Sequence, residues 1–342
     1  MAFSAWSQRL FLVLAALVLI FGPAIYIVHT DYRHFLETPL GVPAGGQLLE
    51  VTPGMGIASL AEALQRQPGL LRSGLYLEAY ARLNQLAHRL KAGEYAVAPG
   101  ATPRDLIDQI VAGRVIQHSL TVVEGWTFQQ LRQALAEHPK LAQTLRGIAD
   151  ADVMARLGRP GEHPEGRFFP DTYQFPARFS DEAFLKRALA AMDQRLAAAW
   201  SRRSPNVPLT DPYQALILAS IVEKETALAA ERAEVAGVFA RRLQRGMPLQ
   251  TDPTVIYGLG AAFDGNLRKS DLIADTPYNT YVRKGLPPTP IALPGAAALA
   301  AAINPAPGDA LYFVATGDGG HIFSSTLDAH NRAVRQYQRK DQ

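Results

Sequence analysis

The stretch LASIVEKETALAAERAEV, Leu218–Val235, runs aliphatic residues straight into two glutamates, Glu223 and Glu225. Its helix starts upstream, with Asp211 at the N-cap position and Pro212 at the first helical position, where the missing N–H costs nothing. On a 3.6-residue period Leu218, Ile221, Val222 and Glu225 form one stripe, so Glu225 continues the apolar face. Glu223 lies about 200° away, in line with Leu216, Ala219 and Ser220. A carboxylate held against aliphatic side chains loses hydration, and that raises its pKa. Raised towards 6–7, the group donates a proton near neutrality. The competing reading makes Glu225 a solvated helix end. Glu223 reads as structural, a partner for Lys224 or Arg232 or a hydrogen bonder behind the site.

On either side of this helix the pattern predicts a mixed domain over residues 118–342. SLTVVEGW (119–126) reads as strand and turn, residues 127–136 as a helix, and RFFPDTYQFP (167–176) as an aromatic, turn-rich segment. Residues 181–200 form an amphipathic helix, and Ala233–Gln244 another that Gly246 closes. LQTDPTVIYGLG (249–260), TPYNTY (276–281) and KGLPPTPIALPG (284–295) read as turn-rich. ALYFVATG and HIFSS read as strands, followed by a last helix near 328–339.

The other end of the chain is different in kind. After Arg9 the run LFLVLAALVLIFGPAIYIV, Leu10–Val28, carries no charge and is long enough to cross a hydrocarbon layer of about 30 Å. It exceeds the h-region of a signal peptide, and Ala24-Ile25-Tyr26 is a poor cleavage site, so residues 1–29 read as a short cytoplasmic tail and an uncleaved anchor. Pro23 is tolerated inside such a span. The positive-inside rule puts the bulk of the chain outside. Residues 30–46, ending in LGVPAGG, read as a linker. A weak repeat follows: Val51, Pro53, Gly54 and Leu60 match Val97, Pro99, Gly100 and Leu106. Each unit reads as strand, Pro-Gly turn, capping Ser59 or Thr102, then helix, with Pro103 at a first helical position and a further helix over 73–85 between them. Residues 47–117 thus form a small α+β module, either a spacer or a carbohydrate-binding module of the LysM kind. The fold class is α+β: a transmembrane helix, a small LysM-like subdomain and a larger catalytic domain.

Composition narrows the chemistry. Of 342 residues, 48% are hydrophobic and 19% charged, enough apolar material for real cores. A net charge of +3 gives no argument for a nucleic-acid partner. The chain has no cysteine, which excludes disulfides, thiol nucleophiles and Cys-ligated metals. No G-x-S-x-G, H-E-x-x-H or P-loop occurs, and Ser220 to Lys224 is one residue too long for S-x-x-K. His321 and His330 read as structural or substrate-contacting rather than as metal ligands, and no cofactor is expected. Gln250, Thr251, Asp252 and Thr254, with Tyr257 beyond them, crowd one segment; Tyr278, Asn279, Thr280 and Tyr281 crowd another. Phenol rings stack on pyranose faces while amides and hydroxyls bind their edges, so both clusters suit a sugar. Ordinary turns, the first an Asx turn at Asp252-Pro253, account for them equally well.

Five motifs then fall together: IVEKETALAAER, LQTDPTVIYGLG, TPYNTYVRKGLPPTPIALPG, NPAPGDALYFVATGDGGHIFSSTLDAHN and EGRFFPDTYQF. Together they resemble the endolytic murein transglycosylases of the MltG/YceG-like type, over nearly the whole chain. The resemblance implies a single-pass protein of the bacterial inner membrane with its bulk in the periplasm, cutting nascent glycan strands internally beside peptidoglycan synthases as partners. It assigns the acid to the second glutamate of E-K-E-T, Glu225, with Glu223 as second candidate, and places Gln250, Asp252, Tyr278 and Asn279 along the cleft. Two alternatives stand beside it. One is a lysozyme-like muramidase using Glu225 and Asp252; the other is a membrane-anchored glycan binder without catalysis.

Overall fold

The computed structural model describes residues 5–67 and 69–337. The chain divides into two compact units, Met1–His118 with Phe175–Arg178, and Ser119–Gln174 with Phe179–Gln342.

The first unit opens with α1 (Ala5–Glu37), followed by β1 (Gln47–Val51), α2 (Ile57–Gln65), α3 (Gly74–Leu83), β2 (Gly93–Val97) and α4 (Pro103–Ala112). The two strands pair antiparallel, Gln47 opposite Val97 and Val51 opposite Gly93. Leu60 and Leu64 of α2, Leu77 and Ala81 of α3, Tyr95 of β2 and Leu106, Ile107 and Ile110 of α4 make one fully buried core. Thr102 caps α4 in a reciprocal box with Asp105, and Pro103 starts it as the spacing predicts. The cap of α2 differs from expectation: Gly56 occupies it, and Ser59 lies within the helix. The predicted linker differs too. α1 continues to Glu37, and Phe35, Leu36 and Leu40 are buried in this core, so the segment after the apolar run is packed rather than free. Over Leu10–Glu37 none of the most apolar stretch is buried by protein, and α1 is the one described helix long and apolar enough to cross a membrane.

The second unit continues from β3 (Gln117–Thr121) through α5 (Phe128–Glu137), β4 (Leu141–Ala142), α6 (Asp150–Arg156), β5 (Thr172–Pro176), β6 (Phe179–Ser180), α7 (Asp181–Trp200), α8 (Pro212–Glu225), α9 (Arg232–Gln244), α10 (Asp252–Leu259), α11 (Lys269–Ile273), α12 (Ala296–Ile303), β7 (Tyr312–Ala315) and β8 (His321–Ser324) to α13 (Leu327–Tyr337). β3 pairs with β5, β4 runs parallel to β6, and β7 pairs antiparallel with β8. The whole is mixed α and β. α8 is its centre: every residue from Ala215 to Val222 is buried, and α7, α9, α10 and α12 pack around it. A helix apolar all round belongs in a core. Two elements depart from the sequence reading. Residues 252–259, read as turn, form α10: Thr251 takes the N-cap position, Asp252 lies in the first turn, and Pro253 falls at the helix start, where its missing N–H is tolerated. AAALAAAI forms α12, whose uniform apolar sequence has no polar face to reveal its period.

Candidate active site

α8 ends at Glu225 because Thr226 turns extended, with φ −142° and ψ 132°. The last residue of a buried helix thus reaches a cavity of about 470 Å³, walled also by Asp252, Tyr281, Tyr312 and His321. The Glu225 side chain is partly exposed on the cavity side. Desolvation by the surrounding protein pushes its pKa up to about 7. Asp252 adds like-charge repulsion, whereas the Thr251 hydroxyl, donating to Glu225 Oε1, and His321 act the other way. The helix carbonyl end also disfavours a negative charge there. Glu225 is therefore a carboxyl that holds its proton near neutrality and faces open space.

The residues beside it are fixed from behind. Thr251 is buried, its N–H donating to Thr280 Oγ1 at 3.1 Å; Thr280 in turn meets Thr254 Oγ1 at 2.9 Å. Gln250 sits at φ +52°, a region costly for a side-chain-bearing residue. Arg242 clamps it: Nη1 donates to the carbonyls of Pro248 and Leu249 at 3.1 and 2.9 Å and to Gln250 Oε1 at 3.1 Å, while Nε donates to the Leu311 carbonyl at 2.7 Å. Asp252 Oδ1 accepts from the Tyr281 hydroxyl at 2.6 Å. His321 is held at Nδ1 by Glu231 Oε2, 2.7 Å away, and its backbone N–H donates to Glu231 Oε1 at 2.9 Å.

Glu223 has a different setting. It accepts the Gly295 N–H at 2.8 Å, at the start of α12, and lies 3.5 Å from Arg232. Burial raises its pKa, the Gly295 bond and Arg232 oppose that, and Glu124 adds to it. It lines another cavity, of about 460 Å³, with Glu124, Trp126, Lys224 and Arg232. Its carboxyl ties α8 to α12.

The sequence-predicted binding residues separate into three groups. Gln250, Thr251, Asp252 and Tyr281 surround Glu225. Thr254, Asn279 and Thr280 are buried with their polar atoms engaged internally; Asn279 Nδ2 alone donates to the carbonyls of Asp271, Leu272 and Ala274 at 2.7 to 3.1 Å. Tyr257 and Tyr278 line neither of the glutamate cavities above but a third, of about 800 Å³. Sequence reasoning missed three groups: Arg242, which reads as one more surface cation of α9; the Glu231–His321 pair, far apart in sequence; and Glu165 in the 800 Å³ cavity. Glu165 opens the motif EGRFFPDTYQF, where the aromatic residues drew the reading. The described residues contain no cluster of three or more His, Asp or Glu side chains able to hold a metal ion.

Comparison with known proteins identifies the family. A relative from Bacillus subtilis (strain 168), named endolytic murein transglycosylase, is 31% identical over 307 residues, 84% of this chain and 84% of its own length. One of the same name from Streptococcus pneumoniae serotype 2 is 28% identical over 90% of this chain, which spans 61% of that longer protein. A crystal structure of a yceG-like protein from Listeria monocytogenes, 28% identical, superposes with a TM-score of 0.54 over 84% of this chain and 98% of its own. The YceG-like family matches residues 49–336, which include both glutamates and every wall of the Glu225 cavity, and the chain belongs to that family.

Proposed function

We propose that this chain is an endolytic murein transglycosylase, a lyase that cuts the β-1,4 bond between MurNAc and GlcNAc inside glycan strands and leaves 1,6-anhydroMurNAc ends. The relatives' names support the activity and the substrate. The observation that carries the mechanism is Glu225: a carboxyl with its pKa near 7, open to a cavity large enough for a sugar. Protonated Glu225 gives its proton to the glycosidic oxygen as the C1–O bond breaks. The oxocarbenium-like centre is stabilised by the substrate's own acetamido group or by tyrosine and amide dipoles. Glu225, now a carboxylate, takes the proton of the muramoyl C6 hydroxyl as that oxygen bonds to C1. The same group returns to its starting state, and no water enters the product. General acid–base catalysis of this kind contributes roughly 10²–10⁴-fold.

Gln250, Thr251, Asp252 and Tyr281 are the proposed substrate-side neighbours of the acid; Asp252, bound by Tyr281, keeps Glu225 protonated rather than activating water. α1 anchors the protein in the inner membrane with its bulk in the periplasm, beside the synthases that make its substrate, and residues 47–117 form the LysM-like subdomain. Mass spectrometry of the products from un-crosslinked strands tests the reaction. Anhydro ends are expected; reducing MurNAc ends would make the protein a hydrolase with Asp252 as second carboxylate.

A further inference from the structure

A cavity of the second unit of about 800 Å³ is larger than the one Glu225 faces, and separate from it. Its walls include Gln129 and Gln130 of α5, Tyr257 of α10, Tyr278 and Glu165. The two cavities nevertheless share elements. Lys224 lines the larger one and Glu225 the smaller; Pro253 lines the larger one and Asp252 the smaller. Successive residues of a helix project about 100° apart, so the end of α8 and the start of α10 form a ridge with a cavity on each side. A polymer whose bond is cut at Glu225 meets the larger cavity by crossing that ridge.

The larger cavity is also built. Glu165 is only 3% exposed, and Oε1 accepts the Phe128 N–H at 2.9 Å while Oε2 accepts the Tyr257 hydroxyl at 3.1 Å. Gly166, at φ +78°, brings this carboxyl in: a Cβ there would lie 2.5 Å from Pro290 Cβ. The Tyr257 ring packs edge-on against Tyr278, centroids 5.0 Å apart at 64°, and the Tyr278 hydroxyl meets Thr289 Oγ1 at 2.8 Å. Burying a carboxyl to fix one phenol is costly unless that phenol's position matters. Two tyrosine rings held steeply tilted to one another beside two amides match a pyranose, with its apolar face and its ring of hydroxyl and acetamido groups. The volume lies within the range of small-ligand sites.

Resting on the reading of Glu225 as the acid, we propose that this second cavity is a saccharide site for sugar units remote from the cut bond, walled by Tyr257 and Tyr278, with Glu165 as the positioning residue that fixes Tyr257. Such a site gives the enzyme a grip along the strand, so that interior bonds are cut and fragment length is set by the span from grip to acid.

The test uses the full chain in detergent with un-crosslinked strands, comparing Tyr278→Ala, Tyr278→Phe, Tyr257→Phe, Glu165→Gln and the pair Tyr257→Phe/Glu165→Gln. Tyr278→Ala is expected to raise KM about tenfold, with a much smaller effect on kcat, and to broaden the fragment lengths; Tyr278→Phe, which keeps the ring, falls much nearer the wild type. Tyr257→Phe and Glu165→Gln shift KM in the same direction by a smaller factor, and the pair is no worse than the poorer single variant, since both remove one bond. Unchanged KM and fragment lengths across the folded variants would overturn the proposal while leaving the lytic reading intact. Should Tyr278→Ala fail to fold, the Tyr257 and Glu165 variants decide. Should the wild type cut nothing, the lytic reading fails, and strand binding to the same variants decides: weakened binding supports the saccharide site, and equal binding overturns it.

Discussion

Glu225 owes its chemistry to its position at the end of a buried helix, and its neighbours make that dependence testable. The proton must be present for the acid step, so turnover is expected to fall as pH rises through about 7. Thr251→Val removes the hydrogen bond that favours the carboxylate; the pKa rises and the alkaline limb moves to higher pH. Asp252→Asn removes a like charge; the pKa falls and the limb moves to lower pH. A pH–rate profile of the three proteins checks both signs. Stability carries the same signature. The folded pKa lies above the unfolded value near 4.5, so between about 4.5 and 7 the folded state binds the extra proton and stability falls as pH rises. Glu225→Gln, free of that burden, is expected to be more stable than the wild type at pH 8, on the order of 3 kcal/mol, with the advantage gone at pH 4; thermal melts at the two pH values read it directly. The stripe of Leu218, Ile221 and Val222 brought Glu225 forward from sequence beside the reading of a solvated helix end, and in the structure the residue is mostly withdrawn from solvent beside a cavity. Glu165 was not legible that way, because its burial comes from Phe128 and Tyr257, distant in sequence, rather than from any local period.

The elements around the site hold it through a few over-determined positions. Asn279 fixes the segment after α11 by donating to three carbonyls and accepting the Tyr281 N–H at 2.9 Å. Asn279→Ala leaves these buried groups unpaired and is expected to cost about 2–4 kcal/mol in denaturant unfolding, with Tyr281 losing its place beside Asp252. Gly166→Ala combines a left-handed φ with a collision against Pro290, and a loss of at least about 2 kcal/mol is expected by the same measurement. At this scale sequence signals worked where chemistry marked a boundary. Thr102 and Asp211 capped their helices as their positions indicated. At Asp252-Pro253 the aspartate lies inside the first turn rather than at the cap, and short length and turn residues hid α10. α12 lacked any polar residue to set a period, so only packing against α8 reveals it. Asn279 and Thr280 looked like sugar ligands because amides and hydroxyls serve turns and ligands alike; their burial is a tertiary fact.

At the scale of the whole molecule the chain joins an apolar helix to two folded units. The apolar run was plain from composition, whereas its continuation to Glu37 was not, since Phe35 and Leu36 find partners only in the folded first unit. That packing sets where the apolar run can be removed. A chain beginning at residue 30 keeps Phe35, Leu36 and Leu40 and is expected to be soluble and folded. One beginning at residue 41 loses all three, on the order of 5 kcal/mol of apolar burial, and its first unit is expected to melt earlier in calorimetry. The weak repeat foretold the strands β1 and β2, though not their pairing, and the five motifs fall in the second unit except for Phe175 at the end of one of them. On the proposed mechanism Glu225, and not Glu223, is the acid of a lytic cleavage. The most direct measurement incubates the full chain, Glu225→Gln and Glu223→Gln with un-crosslinked peptidoglycan strands and counts anhydro-ended fragments by mass spectrometry. Anhydro ends are expected from the wild type, with a fall of at least about 10²-fold in Glu225→Gln and retained cleavage in Glu223→Gln. Cleavage that survives in Glu225→Gln and is lost in Glu223→Gln would contradict that mechanism.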